Sequence, residues 1–402
     1  MSSVYQLLKS HPNPGRRKIG IEVERLLIDR RPLRYEPDVR VLLETLVARH
    51  HWRPTYESAG KILAVEKDGH AVTIEPGGQF EVSSGPRETI AVLKIIKEEI
   101  DEDIAAAMSG RSAGFLCVGL NPWDRAEDIP LLPSPRYRLM DAHFQRLGGR
   151  GREMMRLSLG LQVNLDIDGE KLAVEMLRSA FYAAPVLSSW FANSPCLRGA
   201  RTPHLSERHF VWRETDAARS GFPPCVFAEG FNLKSYGAYV GRTPLMYAFD
   251  AAGEVWDPQG RCLDDLDPEM REINTLPAVK QIFTEARLKP CCVEARFFDQ
   301  LDDDLRYAAV ALTVGLLYDE ENRRWLNKKY AGAKAPALAA LMKKGAESGL
   351  KNAEIYAAGK EFFAAAEKGL LRRGLREEAF LAPAEELLRV RRTPAEDFRV
   401  EL

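Results

Sequence analysis

The side chains best suited to chemistry in this sequence are glutamates that recur at alternate positions of apolar segments. In residues 19–26, apolar side chains alternate with Glu22 and Glu24, a pattern typical of a β-strand with two carboxylates on one face. Further glutamates flank a Pro-Gly-Gly turn or lie in a later strand-like segment: Glu75, Glu81 and Glu294. Carboxylate oxygens are hard ligands, so this set suits Mg²⁺.

Amide and guanidinium groups extend the candidate site. Residues 159–167 give the clearest alternation in the chain and place Gln162 and Asn164 opposite an apolar face. Carboxylates that lie side by side raise one another's pKa unless cations neutralise them, so we expect more than one Mg²⁺ ion. Such ions commonly stabilise γ-phosphoryl transfer from ATP, and arginines clamp phosphate or carboxylate by paired hydrogen bonds. The candidate arginines are Arg208, Arg219, Arg287 and Arg296.

A largely antiparallel sheet must position these residues. Strand-like runs cover residues 71–74, 114–119 and 293–299, in addition to the two segments above. Pro-Gly-Gly at 76–78 predicts a turn that keeps Glu75 and Glu81 close together. We therefore predict an α+β fold with a mainly antiparallel sheet whose functional face is polar.

Helices are predicted around this sheet. Residues 89–108 form a strong amphipathic candidate with Thr89 as N-cap, and Ser134-Pro135 predicts another helix start. The remaining helical segments are residues 37–50, residues 170–192 with a bend or break near Pro185, and most of residues 305–402. Residues 206–221, around Trp212, are interpreted as a loop rich in Arg and Asp.

Composition limits the possible partners. The chain has 402 residues, 45% of them hydrophobic, and a net charge of -1, so it can bury a large core but has no positive field for nucleic acid. Neither a secretory signal nor a membrane-spanning apolar stretch is evident, which predicts a cytoplasmic protein. The six cysteines show no zinc spacing and are interpreted as reduced thiols.

Several familiar sites are disfavoured by the spacing of residues. There is no GxxxxGK[ST] sequence, no strand-GxGxxG-helix unit and no HExxH sequence, which argues against P-loop, Rossmann and zinc-hydrolase sites. A single strand with glutamate on one face is ordinarily only half-buried, with a solvated side. The residue types alone therefore leave a Mg²⁺-dependent enzyme as one of several interpretations.

The order of motifs resembles the plant and proteobacterial type of glutamate-cysteine ligase, known as family 2. The most specific segment is Glu-Pro-Gly-Gly-Gln-Phe-Glu at 75–81. Others follow the same order along nearly the whole chain: Ile-Gly-Ile-Glu-Val-Glu-Arg at 19–25, Gln-Val-Asn-Leu-Asp at 162–166, Arg-Leu-Lys at 287–289, Glu-Ala-Arg at 294–296 and Thr-Pro-Ala-Glu at 393–396.

The resemblance implies a fold akin to glutamine synthetase, in which a curved antiparallel sheet forms a funnel flanked by helices. It implies one catalytic domain over residues 1–402, with 305–402 as its mainly helical part. It also implies that ATP phosphorylates the γ-carboxylate of L-glutamate and that the amine of L-cysteine then attacks, giving γ-glutamylcysteine. A monomer or homodimer that binds only these small molecules is expected.

Roles carry over position by position from the resemblance. The metal-binding carboxylates would be Glu22, Glu24, Glu75, Glu81 and Glu294. The catalytic arginines would be Arg208, Arg287 and Arg296. Substrate or nucleotide would contact Gln162, Asn164, Arg208, Arg219 and Lys289.

The chain also departs from the family pattern. Val23 and Arg25 stand where the family has His and Lys, and Pro-Cys-Cys at 290–292 lengthens the segment between Arg287 and Glu294 by one residue. These differences lie in segments that could contact the incoming amine. Two alternatives stay open: a ligase that joins glutamate or another acid to a different amine, and a catalytically inactive relative that binds nucleotide or amino acid.

Overall fold

A computed structural model describes residues 2–10, 17–29, 31–32 and 38–399 of the chain. In chain order its strands are β1 (Ile19–Asp29), β2 (Arg31–Pro32), β3 (Arg53–Ser58), β4 (Lys61–Lys67), β5 (His70–Ile74), β6 (Phe80–Arg87), β7 (Gly114–Leu116), β8 (Gly160–Asp166), β9 (Cys196–Leu197), β10 (Ala200–Arg201), β11 (Ser220–Gly221), β12 (Ala248–Phe249), β13 (Val255–Trp256), β14 (Phe283–Thr284), β15 (Ala286–Leu288) and β16 (Cys292–Asp299).

Ten of these strands form one sheet within the described residues, in the order β15-β16-β8-β1-β6-β5-β4-β3, while β2 and β7 also pair with β1. Each described pairing in this sheet is antiparallel. The other strands form short two-stranded pairs. The predicted α+β class with a mainly antiparallel sheet is therefore confirmed.

The helices surround the sheet and dominate the last quarter of the chain. They are α1 (Ser3–Lys9), α2 (Arg40–His50), α3 (Ile90–Ala107), α4 (Pro135–Leu147), α5 (Gly151–Leu157), α6 (Glu170–Trp190), α7 (Glu207–Arg213), α8 (Leu233–Arg242), α9 (Pro268–Lys280), α10 (Asp303–Leu317), α11 (Glu320–Lys329), α12 (Ala335–Ser348), α13 (Ala353–Arg373), α14 (Ala382–Val390) and α15 (Pro394–Asp397). Short 3₁₀ helices cover Ala126–Asp128, Pro224–Phe227, Leu263–Asp265, Gly349–Lys351 and Glu377–Leu381.

The apolar face of the sheet packs against two long helices. Ile21 and Val23 of β1 and Val163 of β8 are fully buried in the same cluster as most of α6 and α10. Contacts of α6 with β16 and of α10 with β8 complete this layer. Because side chains alternate along a strand, burial of this face leaves the polar residues on the opposite face.

Several predicted helix ends are confirmed. The hydroxyl of Thr89 accepts a hydrogen bond from the backbone N–H of Val92 at 3.1 Å and caps α3. Pro135 is the first residue of α4. The helix predicted at 37–50 begins at Arg40, and Pro37 lies outside the described residues.

Three sequence-based predictions need correction. The segment 206–221 is not simply a loop, because Ser206 accepts a hydrogen bond from the N–H of His209 and caps the short helix α7. The strand predicted at 114–119 ends at Leu116, after which the N–H of Gly119 donates to the carbonyl of Asn193 instead of the sheet. The helix α6 continues through Pro185, so the predicted break is absent, and the residues on both sides of this proline are buried.

None of the helices in the described part of the chain is long and apolar enough to cross a lipid bilayer. The interpretation of residues 1–402 as a single catalytic domain stays a prediction.

Candidate active site

The register of the sheet aligns the predicted polar residues in rows. Glu22 on β1 lies opposite Gln162 on β8 and Ser83 on β6. Two residues further along β1, Glu24 lies opposite Glu81 on β6. Since every second residue of a strand projects to the same face, both rows share the polar face of the sheet.

A third row joins the basic and acidic residues of β15 and β16. Glu294 lies opposite Asn164 on one side and Arg287 on the other. Arg296, two residues after Glu294, donates hydrogen bonds to Gln162 at 2.7 Å and to Glu294 at 3.0 Å. The register therefore places the guanidinium groups beside the carboxylate rows.

The Pro-Gly-Gly turn places Glu75 and Glu81 on either side of a sharp reversal. A Cβ atom at Gly77 would lie 2.2 Å from the backbone carbonyl oxygen of Arg156, so only glycine fits there. Gly78 has a φ of 87°, which L side chains rarely adopt. The two glycines thus bring the turn against the end of α5 and set the direction of both carboxylates.

Gln79 holds this turn in place. Its Oε1 accepts a hydrogen bond from the N–H of Gly77 at 2.8 Å, and its Nε2 donates to the carbonyls of Met155 and Ser158 at 3.2 and 3.1 Å. The side chain is only 4% exposed, so each of these bonds is made in a largely dry environment. The central residues of the motif at 75–81 therefore maintain the turn, whereas Glu75 and Glu81 at its two ends line a cavity.

An open cavity of about 380 Å³ lies over the polar face. Four of the predicted metal ligands line it: Glu22, Glu24, Glu75 and Glu81. Its basic side chains are Arg136, Lys280, Arg287, Lys289 and Arg296. Gln162 also lines the cavity, and Asn164 donates to Glu22 at 3.1 Å from just beside it. A space with acidic and basic walls suits a ligand that carries both metal-bound phosphates and free carboxylates.

The carboxylates in the cavity are crowded. Burial raises the pKa of Glu24 to about 7, although Arg208 opposes the shift. Burial also raises the pKa of Glu75, and it raises that of Glu81 well above its usual range with the help of the charges on Glu75, Glu22 and Glu24. Burial and mutual repulsion therefore disfavour the charged forms of these carboxylates in spite of the nearby basic side chains, and a bound cation would offset both effects.

This donor set fits Mg²⁺, although the protein does not form a closed cage for it. Among the described residues, no three Asp, Glu, His or Cys side chains meet around one ion position. Mg²⁺ is commonly bound through one or two carboxylates together with water and substrate phosphates, so an open arrangement of oxygen donors suits it.

Glu294 differs from the other predicted metal ligands. It is 0% exposed, does not line the cavity and pairs with Arg287 at 2.7 Å, Lys289 at 2.5 Å and Arg296 at 3.0 Å. Burial opposes its charge, but these three cations outweigh burial and hold the pKa of Glu294 well below its usual range. In the structure Glu294 therefore has the position of a counterion that anchors the basic wall, and its role as a metal ligand stays a prediction.

Lys289 connects that anchor to the carboxylate rows. Its ammonium group pairs with Glu22 at 2.7 Å as well as with Glu294, and it donates to Asn164 at 3.3 Å. Lys289 lines the cavity, so one side of the lysine faces any bound ligand.

Arg208 and Arg219 lie outside the cavity lining. Arg208 donates to the hydroxyl of Ser158 at 3.1 Å and to the carbonyl of Arg296 at 3.2 Å, so it contacts the backbone of β16. Arg219 is 1% exposed, and its guanidinium donates to Asp216 at 2.7 Å and to backbone carbonyls. The structure does not bring Arg219 into the site, because its neighbours already use its donors.

Some cavity residues were missed by the sequence reasoning, namely Arg136, Tyr137, Tyr247 and Lys280. Arg136 donates to the hydroxyl of Tyr137 at 3.1 Å and lies 4.8 Å from the centre of that ring. The helix start at 134–137 is visible in the sequence. Nothing in it indicates that the first turn of this helix faces the sheet, so the role of Arg136 emerges only from the tertiary structure.

The fold and the cavity define the class of the protein: an α+β protein with an antiparallel sheet that presents carboxylates and guanidinium groups to an open cavity. The chain belongs to the glutamate-cysteine ligase family 2, whose family model matches residues 18–401. The resemblance drawn from the sequence motifs is thereby confirmed.

Known relatives agree with this assignment. A chloroplastic glutamate-cysteine ligase of Brassica juncea is 31% identical over 406 residues, which cover 94% of this chain and 75% of that protein. The chloroplastic enzyme of Arabidopsis thaliana is 31% identical over 405 residues, with 94% and 74% coverage.

A solved structure shows the same fold at low identity. The glutamate-cysteine ligase of Francisella tularensis, determined in complex with AMP, matches with a TM-score of 0.57 over 96% of this chain and 84% of that one, at 11% identity. Fold similarity therefore extends beyond the relatives that can be recognised by sequence.

Proposed function

We propose that this protein is a ligase that uses ATP and Mg²⁺ to join L-glutamate to L-cysteine through a γ-glutamyl phosphate. The observation that carries this proposal is the cavity in which four glutamates face five basic side chains, in a member of the glutamate-cysteine ligase family. A carboxylate is a poor electrophile, and phosphorylation supplies the leaving group that amide formation needs.

The acidic and the basic residues of the cavity have different roles in this reaction. Glu22, Glu24, Glu75 and Glu81 would hold the Mg²⁺ ions, which neutralise the triphosphate when bound. Beside these carboxylates, Arg287, Lys289 and Arg296 would orient the carboxylates of glutamate and the transferred phosphoryl group.

Glu294 makes the basic wall rigid. Its carboxylate is shared by Arg287, Lys289 and Arg296, so the three cations are held at fixed positions before a ligand arrives. Electrostatic groups that need no rearrangement during the reaction stabilise its transition state best. Arg208 contributes indirectly by bonding to the backbone of Arg296.

A ligase for a different amine is the second candidate. The basis for it is the Pro-Cys-Cys segment at 290–292, which adjoins Lys289 of the cavity lining. Val23 is buried in the apolar core and Arg25 pairs with Asp101, so these two departures from the family pattern do not reach the cavity. A catalytically inactive relative is disfavoured because the four cavity carboxylates are all retained. A cytoplasmic location and a monomeric or homodimeric state stay predictions, and the plant relatives named above are chloroplastic.

Turnover with a panel of amines tests the proposal. The protein is incubated with ATP, Mg²⁺, glutamate and one amine at a time, and ADP release and the coupled product are measured. Cysteine should give the highest rate, whereas a higher rate with another amine would favour the second candidate. Absence of glutamate-dependent ADP release would contradict both.

The carboxylate assignment is tested by Glu75→Gln. This variant should lose turnover and keep its fold, because the amide preserves the shape of the side chain but removes the charge that binds the metal. Glu254→Gln, on an exposed residue, is the matched control and should behave as wild type. Unchanged turnover in Glu75→Gln would show that the metal assignment is wrong.

A further inference from the structure

A narrow chamber lies beside the main cavity and shares Phe283 and Arg296 with its wall. Helix α7 contributes His209 and Trp212 to the chamber, and Glu285 contributes from the link between β14 and β15. The chamber has room for about one or two water-sized groups, which is also the size of an ammonium group.

Glu285 is a buried carboxylate without a partner. The residue is 9% exposed, and none of the described residues donates a hydrogen bond to its carboxylate or forms an ion pair with it. Its backbone is held firmly, since its carbonyl accepts from the N–H of Arg296 at 2.9 Å and its N–H donates to Gly221 at 3.3 Å. An unpaired buried carboxylate is costly, so a site built this way favours a guest that brings positive charge.

His209 gives a second, independent indication of a polar guest. It is 6% exposed, and both of its ring nitrogens lack a hydrogen-bond partner among the described residues. Burial lowers the pKa of His209 to about 3, so the imidazole is neutral at physiological pH and has one donor and one acceptor to satisfy. Only a group inside the chamber can satisfy them.

Each of the two chamber arginines has another carboxylate beside it. Arg296 pairs with Glu294 at 3.0 Å, and Arg208 lies 4.0 Å from Asp299. Glu285 is therefore the chamber carboxylate that forms no hydrogen bond or ion pair of its own among the described residues, although the charges of Arg208, Arg213 and Arg296 act on it. A hydrogen-bond donor bound in the chamber would give this carboxylate a partner.

We propose that Glu285 binds the α-ammonium group of the acceptor amino acid in this chamber and removes its proton, so that it serves as the general base of the ligation step. The inference rests on the proposed function. Phe283 and Arg296 line both spaces, so the chamber adjoins the main cavity, and the proposal requires the ammonium group of an acceptor in the cavity to enter between these two residues.

The proposed step conserves atoms and charge. The ammonium group gives one proton to the Glu285 carboxylate, and the freed lone pair forms the C–N bond with the acyl carbon of γ-glutamyl phosphate. The C–O bond to phosphate then breaks, and the phosphate leaves with the bonding electrons. The second proton of the nitrogen goes to the departing phosphate.

The surroundings of Glu285 suit a base that works near neutral pH. The charged and titratable groups that face it are Arg208, His209 and Arg213 from α7, and Arg296 and Asp299 from β16. Burial outweighs the three arginines and raises the pKa of Glu285 to about 7. General bases are most effective when their pKa lies near the working pH.

The test compares two acceptors in the complete enzyme with ATP, Mg²⁺ and glutamate. Cysteine carries an ammonium group that must lose a proton, whereas hydroxylamine is already neutral at pH 7 and needs no base before it attacks. Glu285→Gln should lower kcat with cysteine by about 10²–10⁴-fold and leave the rate of hydroxamate formation little changed. It should also remove the rise of the cysteine rate between acidic and neutral pH, while the ionisation of cysteine itself affects both enzymes.

Two further variants keep the test decisive. Glu285→Asp retains a carboxylate with shorter reach, and it should keep the pH dependence with a reduced cysteine rate even if Glu285→Gln folds poorly. Glu207→Gln removes another buried carboxylate, which pairs with Arg150 and His204, and it should not change the ratio of the cysteine rate to the hydroxylamine rate.

Each remaining outcome overturns the inference. If both rates fall equally in Glu285→Gln, the residue has a structural role or binds glutamate, and if neither falls, the chamber holds only water. Failure of the proposed function would be distinct, because wild type itself would then form neither product.

Discussion

Glu294 and Glu81 should respond in opposite ways to the same chemical change. In Glu294→Gln the side chain keeps its shape, but Arg287, Lys289 and Arg296 lose the carboxylate they share at 2.5–3.0 Å. Because Glu294 is 0% exposed, water cannot replace that charge. Breaking a buried ion pair costs about 3–5 kcal/mol, and the number of cations involved places this variant near the upper end of that range.

Glu81→Gln removes a charge that the folded state disfavours. The pKa of Glu81 is raised well above its usual range by burial and by the neighbouring carboxylates. A raised carboxylate pKa makes the free energy of unfolding fall as the pH rises through the window above 4.5, and a depressed one, as in Glu294, makes it fall as the pH drops below 4.5. At pH 8, without Mg²⁺ or nucleotide, Glu81→Gln should therefore be more stable than wild type.

Urea denaturation followed by tryptophan fluorescence measures both effects as free energies of unfolding. A loss of about 3–5 kcal/mol is a large share of the 5–15 kcal/mol typical of folded proteins, so it is readily detected. Glu254→Gln again serves as the exposed control. The reasoning is refuted if Glu294→Gln is as stable as wild type or if Glu81→Gln loses stability to a similar extent.

Further predictions concern the turn, the helix α4, the metal and an ion pair far from the site. Gly77→Ala should lower activity and stability, the latter by about 1–3 kcal/mol, since its Cβ would overlap backbone; wild-type melting and turnover would contradict this. Arg136→Lys should lower kcat/KM for glutamate by about 10–100-fold in initial-rate assays. The reason is that lysine cannot both stack on the ring of Tyr137 and donate hydrogen bonds from a planar group. An unchanged kcat/KM would exclude Arg136 from substrate binding. Chelation of Mg²⁺ should abolish turnover and also the rise in Tm that ATP produces, and metal-independent turnover would count against the carboxylate site. Burial would raise the pKa of Asp101, but Arg25 at 2.9 Å helps to hold it below 3.8. This carboxylate therefore stabilises the protein above pH 3.8 and loses that effect as the pH falls further. Asp101→Asn should weaken the loss of unfolding free energy at acidic pH in a series of urea denaturations, and an unchanged pH dependence would disprove the assignment.

Local sequence patterns predicted the faces of individual strands well. The alternation around Glu22 and Glu24 identified which side chains share a face, because successive residues of a strand project in opposite directions whatever the partner strand is. The turn at 76–78 could be read in the same way, since its conformation depends on the residues within it. Residues 206–213 were mistaken for a loop because their helix depends on packing more than on local propensity.

The environment of each charge could not be obtained in this way. Glu294 has the same pattern as Glu22, yet one is surrounded by cations and the other lines an open cavity. The difference arises from the pairing of β15 with β16, which places Arg287 opposite Glu294. Cross-strand neighbours come from distant parts of the chain, so their identity is a property of the register.

The sequence by itself thus determined which residue types are available, which face of each strand they occupy and, through its motifs, the family. The tertiary structure alone decided that Arg219 turns away from the site, that Arg136 reaches it from a helix, and that Glu285 is buried without a partner. The physical reason is that alternation and turn formation act over a few residues, whereas burial and charge pairing depend on side chains that meet only after the whole sheet and its helices have assembled.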